Sequence, residues 1–248
     1  MIKILHCSDA HLDWSTAGFR RFDDVERALE QTVRAAIDEK VGLYVFTGDL
    51  GDPDGGSVVL RMAYVALCVA LELEKAGIPS VWVAGNHDVA EDGAGTTTLT
   101  PLVALAGHAP QMVHVFMRPG VVEAGGVRLF ALPYPSLALP YDPVKAVERF
   151  VAETRAISPH PPEKIVIATH LQFKGIVPGE ETREMPRGRD VPFPWEQCDP
   201  AWLCLGGHYH ERQVWEAPNG VRVHIAGALA RLTHGEEQNR PSFTIHDL

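Results

Sequence analysis

Ser80-Val81-Trp82-Val83-Ala84-Gly85-Asn86-His87-Asp88 decides how this chain folds. Its first five residues are apolar or small and read as a buried strand. Its last four place an amide oxygen, an imidazole and a carboxylate on the loop beyond the strand's carboxyl end. Open α/β sheets build their sites at that edge. Asparagine is an uncommon metal ligand, but its carbonyl oxygen suits a hard divalent ion flanked by carboxylates and imidazoles. The rest of the chain must bring matching groups to the same edge.

Upstream of this stretch, residues 2–7 are strand-like and end in Ser8-Asp9-Ala10-His11. Residues 23–40 show helical spacing through Val25, Leu29, Val33, Ala36 and Ile37, with Gly42 as a stop. Leu43-Tyr44-Val45-Phe46-Thr47 is a second β-rich run, ending in Gly48-Asp49, and residues 58–73 form an apolar helix closed by Gly77 and Pro79. This β-α-β-α-β order predicts parallel strands with right-handed crossovers. Downstream, residues 99–106 read as a short helix and residues 113–116, 121–123 and 127–132 as short strands, with Gly125-Gly126 as a hairpin turn. Residues 144–157 read as a helix. Ile165-Val166-Ile167-Ala168-Thr169 is a buried strand ending in His170. Trp202-Leu203-Cys204-Leu205 ends in Gly206-Gly207-His208-Tyr209-His210. Residues 213–215, 221–226 and 243–246 are expected to complete an antiparallel region. No repeat or linker divides the chain, so one domain over residues 1–248 is expected.

At 248 residues and 46% hydrophobic, the chain has ample material for a core. Arg61 and Glu72 interrupt the most apolar segment, which is too short to span a bilayer. The amino terminus runs into a strand without a signal-peptide layout, and the four cysteines show no CxxC spacing. Buried thiols in a reducing cytoplasm are expected. A net charge of -10 argues against a broad basic nucleic-acid surface. It leaves room for an enzyme whose attraction for phosphate comes from bound cations.

Five apolar runs each end in possible ligands: Asp9 with His11; Asp49; Asn86 with His87 and Asp88; His170; and His208 with His210. Alternation along Asp9-x-His11 and His208-x-His210 is expected to point each pair one way. Seven ligands suffice for two ions if one carboxylate bridges, and Asp49, alone at its strand end, is the natural bridge. A thiolate-free set of imidazole, carboxylate and amide oxygen suits Mn²⁺, Fe²⁺ or Zn²⁺. Paired ions clamp phosphoryl oxygens and generate hydroxide from water.

This series, Asp9-x-His11, Gly48-Asp49, Gly85-Asn86-His87-Asp88, His170 and Gly207-His208-x-His210, resembles the calcineurin-like metallophosphoesterases over nearly the whole chain. The resemblance implies a four-layer α-β-β-α sandwich with mixed sheets. It implies one ion on Asp9, His11, Asp49 and His210, and another on Asp49, Asn86, His170 and His208. His87 matches the family's phosphate-contacting histidine, which protonates the leaving oxygen, and Asp88 would orient it. More narrowly, residues 6–12, 205–213 and 226–237 look like the SbcD-type DNA repair nucleases. Proteins of that type usually continue into a DNA-capping domain and a segment that docks an SbcC-type ATPase. An SbcC-type ATPase is the partner that the resemblance implies, though no docking segment of that kind is read in residues 1–248.

The expected activity is a dinuclear, metal-dependent phosphodiesterase, a DNA nuclease using metal-activated hydroxide, with Mn²⁺ as the favoured ion. A small-molecule phosphodiesterase or phosphatase, for example on cyclic nucleotides, is the alternative. A catalytically idle scaffold protein is the remaining one. Local cations, Arg212 and Arg231 foremost, are the candidate DNA contacts. A charged loop spanning residues 174–189 is as consistent with solvation as with substrate. Trp14, Phe19 and Phe22 suit packing better than base stacking, and His6, His114 and His224 read as structural residues in strands.

Overall fold

The computed structural model describes residues 1–54, 56–90, 95–157, 164–174, 176 and 191–248. Two sheets stack face to face. The first takes β1 (Lys3–Cys7), β4 (Leu43–Phe46), β5 (Ser80–Val83) and β6 (Val113–Phe116) as parallel neighbours in that order, with β13 (Thr244–Asp247) antiparallel on the outer side of β1. The second runs in the order β11 (Gln213–Glu216), β12 (Arg222–Ile225), β10 (Leu203–Gly206), β9 (Ile165–Thr169), β8 (Val127–Leu132) and β7 (Gly120–Ala124). Its inner strands β12, β10, β9 and β8 are parallel, and each edge strand is antiparallel to its neighbour. A two-stranded ribbon, β2 (Ser15–Thr16) and β3 (Phe19–Arg20), stands apart from both.

Strand alternation accounts for the layers. Ile4, Leu43, Val45, Val81 and Val83 turn inward and meet Val127, Leu129, Ala131, Val166, Ala168 and Leu205 between the sheets. Their sequence neighbours Leu5, Cys7, Tyr44, Phe46 and Trp82 turn outward onto α1 (Phe22–Asp38), α2 (Val58–Lys75) and α3 (Thr100–His108). On the other side Phe130, Leu132, Ile167, Cys204 and Val223 turn outward onto Val147, Phe150 and Val151 of α4 (Pro143–Ile157). Asp142 starts α4, its Oδ1 accepting the Val144 and Lys145 backbone N–H groups at 3.0 and 3.3 Å. The result is the expected α-β-β-α sandwich.

One expectation fails. The last strand does not complete an antiparallel region with residues 213–226. Instead β13 crosses to the first sheet and pairs with β1 from Lys3↔Asp247 to His6↔Thr244, while β12 lies parallel to β10. An edge strand pairs with whichever free edge the chain can reach, and its alternation pattern does not say which. All four cysteines are free, with Cys7, Cys198 and Cys204 buried. Among the described residues, no helix is long and apolar enough to cross a membrane. Arg183, Arg187, Arg189 and the acids Glu180, Glu181 and Glu184 of the charged loop lie outside the described residues.

Candidate metal centre

Because β1, β4 and β5 are parallel neighbours, their carboxyl ends open on one edge of the first sheet. The same holds for β9 and β10 in the second. Backbone bonds lace these ends together. Ala10 and His11 donate to the Asp49 carbonyl at 2.8 and 3.0 Å, and Asp9 donates to Gly48 at 2.9 Å. The two sheets meet here, where the His208 N–H donates to both carboxylate oxygens of Asp9 at 3.1 Å.

The approach is so close that only glycine fits at its pinch points. A Cβ on Gly48, whose φ is +103°, would collide with His170 Nδ1. A Cβ on Gly85 would collide with Asp49 Oδ1. Strain also collects at this edge. Asp9, His11, Asp49 and His208 hold φ of 52°, 46°, 60° and 79°, a left-handed conformation that costs a non-glycine residue about 1 kcal/mol. Such strain persists only where surrounding contacts over-determine it.

The side chains converge in overlapping groups. Ligand atoms of Asp9, His11 and His210 lie within 4.8 Å of one another, as do those of Asp49, His170 and His208, and those of His11, Asp49 and His87. Asn86 Oδ1 sits 2.9 Å from His208 Nδ1 and 3.2 Å from His170 Nε2, and Asp49 Oδ2 lies 3.1 Å from that same nitrogen. Donor atoms about 2.1 Å from one divalent ion and at right angles stand about 3 Å apart. The spacing therefore fits such an ion. So does the chemistry of the atoms. His170 Nδ1 is engaged with the Thr47 carbonyl at 2.5 Å, which turns Nε2 toward two oxygens that can only accept. A positive charge among them satisfies all three.

The electrostatics agree. Burial would raise the Asp49 carboxyl, but the His170 and His87 imidazoles overturn it and hold the group well below the usual carboxylate range. Burial likewise opposes charge on His170, yet the Asp49 carboxylate lifts it to about 9. The field that favours a proton there favours a cation. His11 and His208 are driven the other way by burial, well down and to about 3 respectively, which leaves neutral imidazoles with lone pairs to give.

The structure thus brings Asp9, His11, Asp49, Asn86, His170, His208 and His210 to one edge, with His87 beside them. His87 is half-buried, its ring centroid 5.0 Å from that of His11, and its backbone N–H donates to Asp49 Oδ1 at 2.9 Å. Asp88 does a different job from the expected one. Its carboxylate accepts from the backbone N–H groups of Gly85 and Asp49 on Oδ2 at 2.7 and 2.8 Å, and of Leu50 on Oδ1 at 2.8 Å. The Thr98 hydroxyl adds a fourth bond at 3.2 Å. Asp88 therefore clamps the two loops that carry Asp49 and Asn86 instead of aiming His87. The two residues are neighbours in sequence, but the Asp88 carboxylate spends its oxygens on backbone N–H groups and the Thr98 hydroxyl.

The candidate DNA contacts are exposed. Arg231 is exposed, with Nε donating to the Asn239 carbonyl at 2.8 Å. Arg212 is exposed near His224 and His246, whose proton affinities are lowered by burial first and by its charge in addition. Phe22 is core and Phe19 is exposed. Trp14 packs edge-on to His11 at 5.8 Å and donates to the Leu232 carbonyl at 2.8 Å. Residue-by-residue reading missed Glu236, which is buried with Oε1 2.8 Å from His210 Nδ1. The only sequence signal for it was its place in the nuclease-like 226–237 stretch.

Known proteins resemble this chain in sequence and in fold. A curated relative from Sulfurisphaera tokodaii, the DNA double-strand break repair protein Mre11, is 25% identical over 236 residues, covering 91% of this chain and 53% of its own length. The SbcD component of the SbcCD nuclease of Escherichia coli K12 is 26% identical over 241 residues, covering 89% and 59%. The chain thus spans between half and three fifths of these relatives. Among solved structures, a dimetal phosphatase from Danio rerio superposes with a TM-score of 0.55 at 12% identity, covering 98% of this chain and 91% of the other. A purple acid phosphatase from yellow lupin seeds gives 0.52 at 14%, covering 87% and 39%. Both likenesses bear on the fold. The family profile of the calcineurin-like phosphoesterases matches residues 2–212, which contain every strand-end group described above, and the chain belongs to that family.

Proposed function

We propose that this chain is a dinuclear metal-dependent phosphodiesterase, a single nuclease-like domain over residues 1–248 that hydrolyses DNA. The observation that carries the proposal is the position of Asp49. Its Oδ2 lies 3.6 Å from His11 Nε2 on one side and 3.1 Å from His170 Nε2 on the other. One buried carboxylate therefore faces both ligand groups. Asp9, His11, Asp49 and His210 would hold one ion, and Asp49, Asn86, His170 and His208 the other. Two divalent ions, Mn²⁺ foremost and Fe²⁺ or Zn²⁺ as substitutes, supply positive charge for phosphoryl oxygens and acidify water. His87 contacts the phosphate and gives a proton to the departing oxygen. Asp88 and the glycine pinch points fix the loops so that this geometry costs no reorganisation during the reaction.

DNA as substrate is supported by one relative named for DNA double-strand break repair, by another named as a subunit of the SbcCD nuclease, and by the 226–237 stretch, which resembles the SbcD-type nucleases. Arg212 and Arg231 would touch the nucleic acid beyond the centre, and an ATPase partner of the SbcC type belongs to the same reading. With Mn²⁺, the test compares single-stranded DNA, duplex DNA, a cyclic nucleotide and a simple phosphomonoester. Cleavage of DNA is expected, abolished by chelation. Turnover of the cyclic nucleotide or monoester alone replaces the nuclease with a small-molecule enzyme. Absence of both ion uptake and hydrolysis would leave a binding protein without chemistry of its own.

A further inference from the structure

Glu236 lies in the short helical turn His234–Glu236, well after the last metal-ligand candidate, and is 1% exposed. A carboxylate so buried is costly unless its oxygens are engaged. Oε2 accepts the Leu232 backbone N–H at 2.6 Å, and Oε1 meets His210 Nδ1 at 2.8 Å. An ionised carboxylate can only accept; opposite one, Nδ1 carries the proton and Nε2 keeps its lone pair for a cation. That lone pair lies 3.1 Å from His11 Nε2 and 4.0 Å from Asp9 Oδ1, inside the first ligand group.

The histidines are held differently. His170 rests on the neutral carbonyl of Thr47, whereas His210 rests on a carboxylate. A carboxylate on the far nitrogen makes an imidazole a stronger donor than a carbonyl does. The segment bearing Glu236 is itself tied to the centre. The Ala228 N–H donates to the His210 carbonyl at 3.0 Å and Leu229 to the Asp9 carbonyl at 3.4 Å, while Trp14 and Thr16 both donate to the Leu232 carbonyl.

We infer that Glu236 is a positioning residue. It fixes His210 in the Nδ1–H tautomer and thereby raises the affinity of the Asp9–His11–His210 group for a divalent ion over what the imidazole alone would give. The inference rests on the metal centre proposed above, but its test is separable. Long-range ¹H–¹⁵N spectra of the chelated, ¹⁵N-histidine-labelled full chain read the tautomer directly. Calorimetric Mn²⁺ titration reads the two affinities. The Nδ1–H form is expected in the parent protein and a shift toward Nε2–H in Glu236→Ala. Loss of a partner of this type costs about 10- to 100-fold in metal affinity, here expected at one ion, with the other within about threefold. Glu236→Gln keeps the volume and the packing, so it remains folded if the alanine variant does not. It is expected to weaken the same ion by a smaller factor. A parent protein that takes up no ion overturns the metal centre itself. Ion uptake with unchanged tautomer and unchanged affinities in Glu236→Gln overturns the role of Glu236 alone.

Discussion

Asp88→Ala separates two jobs that a carboxylate beside His87 can have. In the structure the side chain is fully buried and accepts three backbone N–H groups, from Gly85, Asp49 and Leu50, plus the Thr98 hydroxyl. Removing it leaves three buried N–H groups without their acceptor, at about 2 kcal/mol each, or about 6 in all. Burial and the nearby Asp49 carboxylate lift the Asp88 carboxyl to about 6 even against the backbone bonds it accepts, so losing the charge offsets part of that cost. The net expectation is a loss of about 3 kcal/mol, the lower end of the range for three such N–H groups. Urea unfolding of the chelated protein measures it, and Mn²⁺ titration should show weaker binding because Asp49 loses the clamp that holds its left-handed backbone. Stability within about 0.5 kcal/mol of the parent, the usual range for an inert surface change, would refute the clamp. A selective fall in turnover at unchanged stability and ion affinity would restore the role of aiming His87.

Three further outcomes are expected. His87→Ala should keep both ions while turnover falls about 10²- to 10⁴-fold, the usual worth of a positioned general acid; loss of an ion in the variant would make His87 a ligand. Saturation with Mn²⁺ at about 100 times its dissociation constant should raise unfolding stability by about 2.7 kcal/mol, and a chelator should reverse it; an unchanged melting curve would count against a preformed centre. Acid should destabilise the fold through a second histidine cluster, His6, His224 and His246, whose rings neighbour one another at 6.0 and 5.0 Å. Burial and the neighbouring imidazoles hold His6 well below its usual value, and burial, His224 and Arg212 bring His246 down to about 4. The unfolded chain takes up these protons near pH 6.5 while the folded chain refuses them, so stability falls as pH drops from about 6.5 toward 4. His246 alone accounts for about 2 kcal/mol between pH 6.5 and 5. Urea unfolding at both pH values should show a smaller drop in His246→Gln, and an equal drop would refute the assignment.

How far the sequence reached is clearest at the strands. Val81, Trp82 and Val83 could be read as a buried strand because a parallel strand covered on both faces is apolar throughout. The ligand groups were legible because each follows such a run, and parallel order sends every run's end to the same edge. Local pattern alone settled those features. It could not settle β13, whose alternation is satisfied on either sheet. Nor could it settle Asp88. A residue beside a histidine in sequence is expected to serve it, yet the turn after Gly85 points the carboxylate at three backbone N–H groups from two loops.

The sequence by itself determined where the apolar strands run and which ligand types end them, because burial and alternation are written residue by residue, while the layered sandwich was legible only through the family resemblance. Only the tertiary structure decided which partner each polar group takes. Glu236 reaches His210 across 26 residues of chain, and Asp9 receives His208 across 199. Hydrogen bonds of that range depend on how the two sheets meet, and no local periodicity records it.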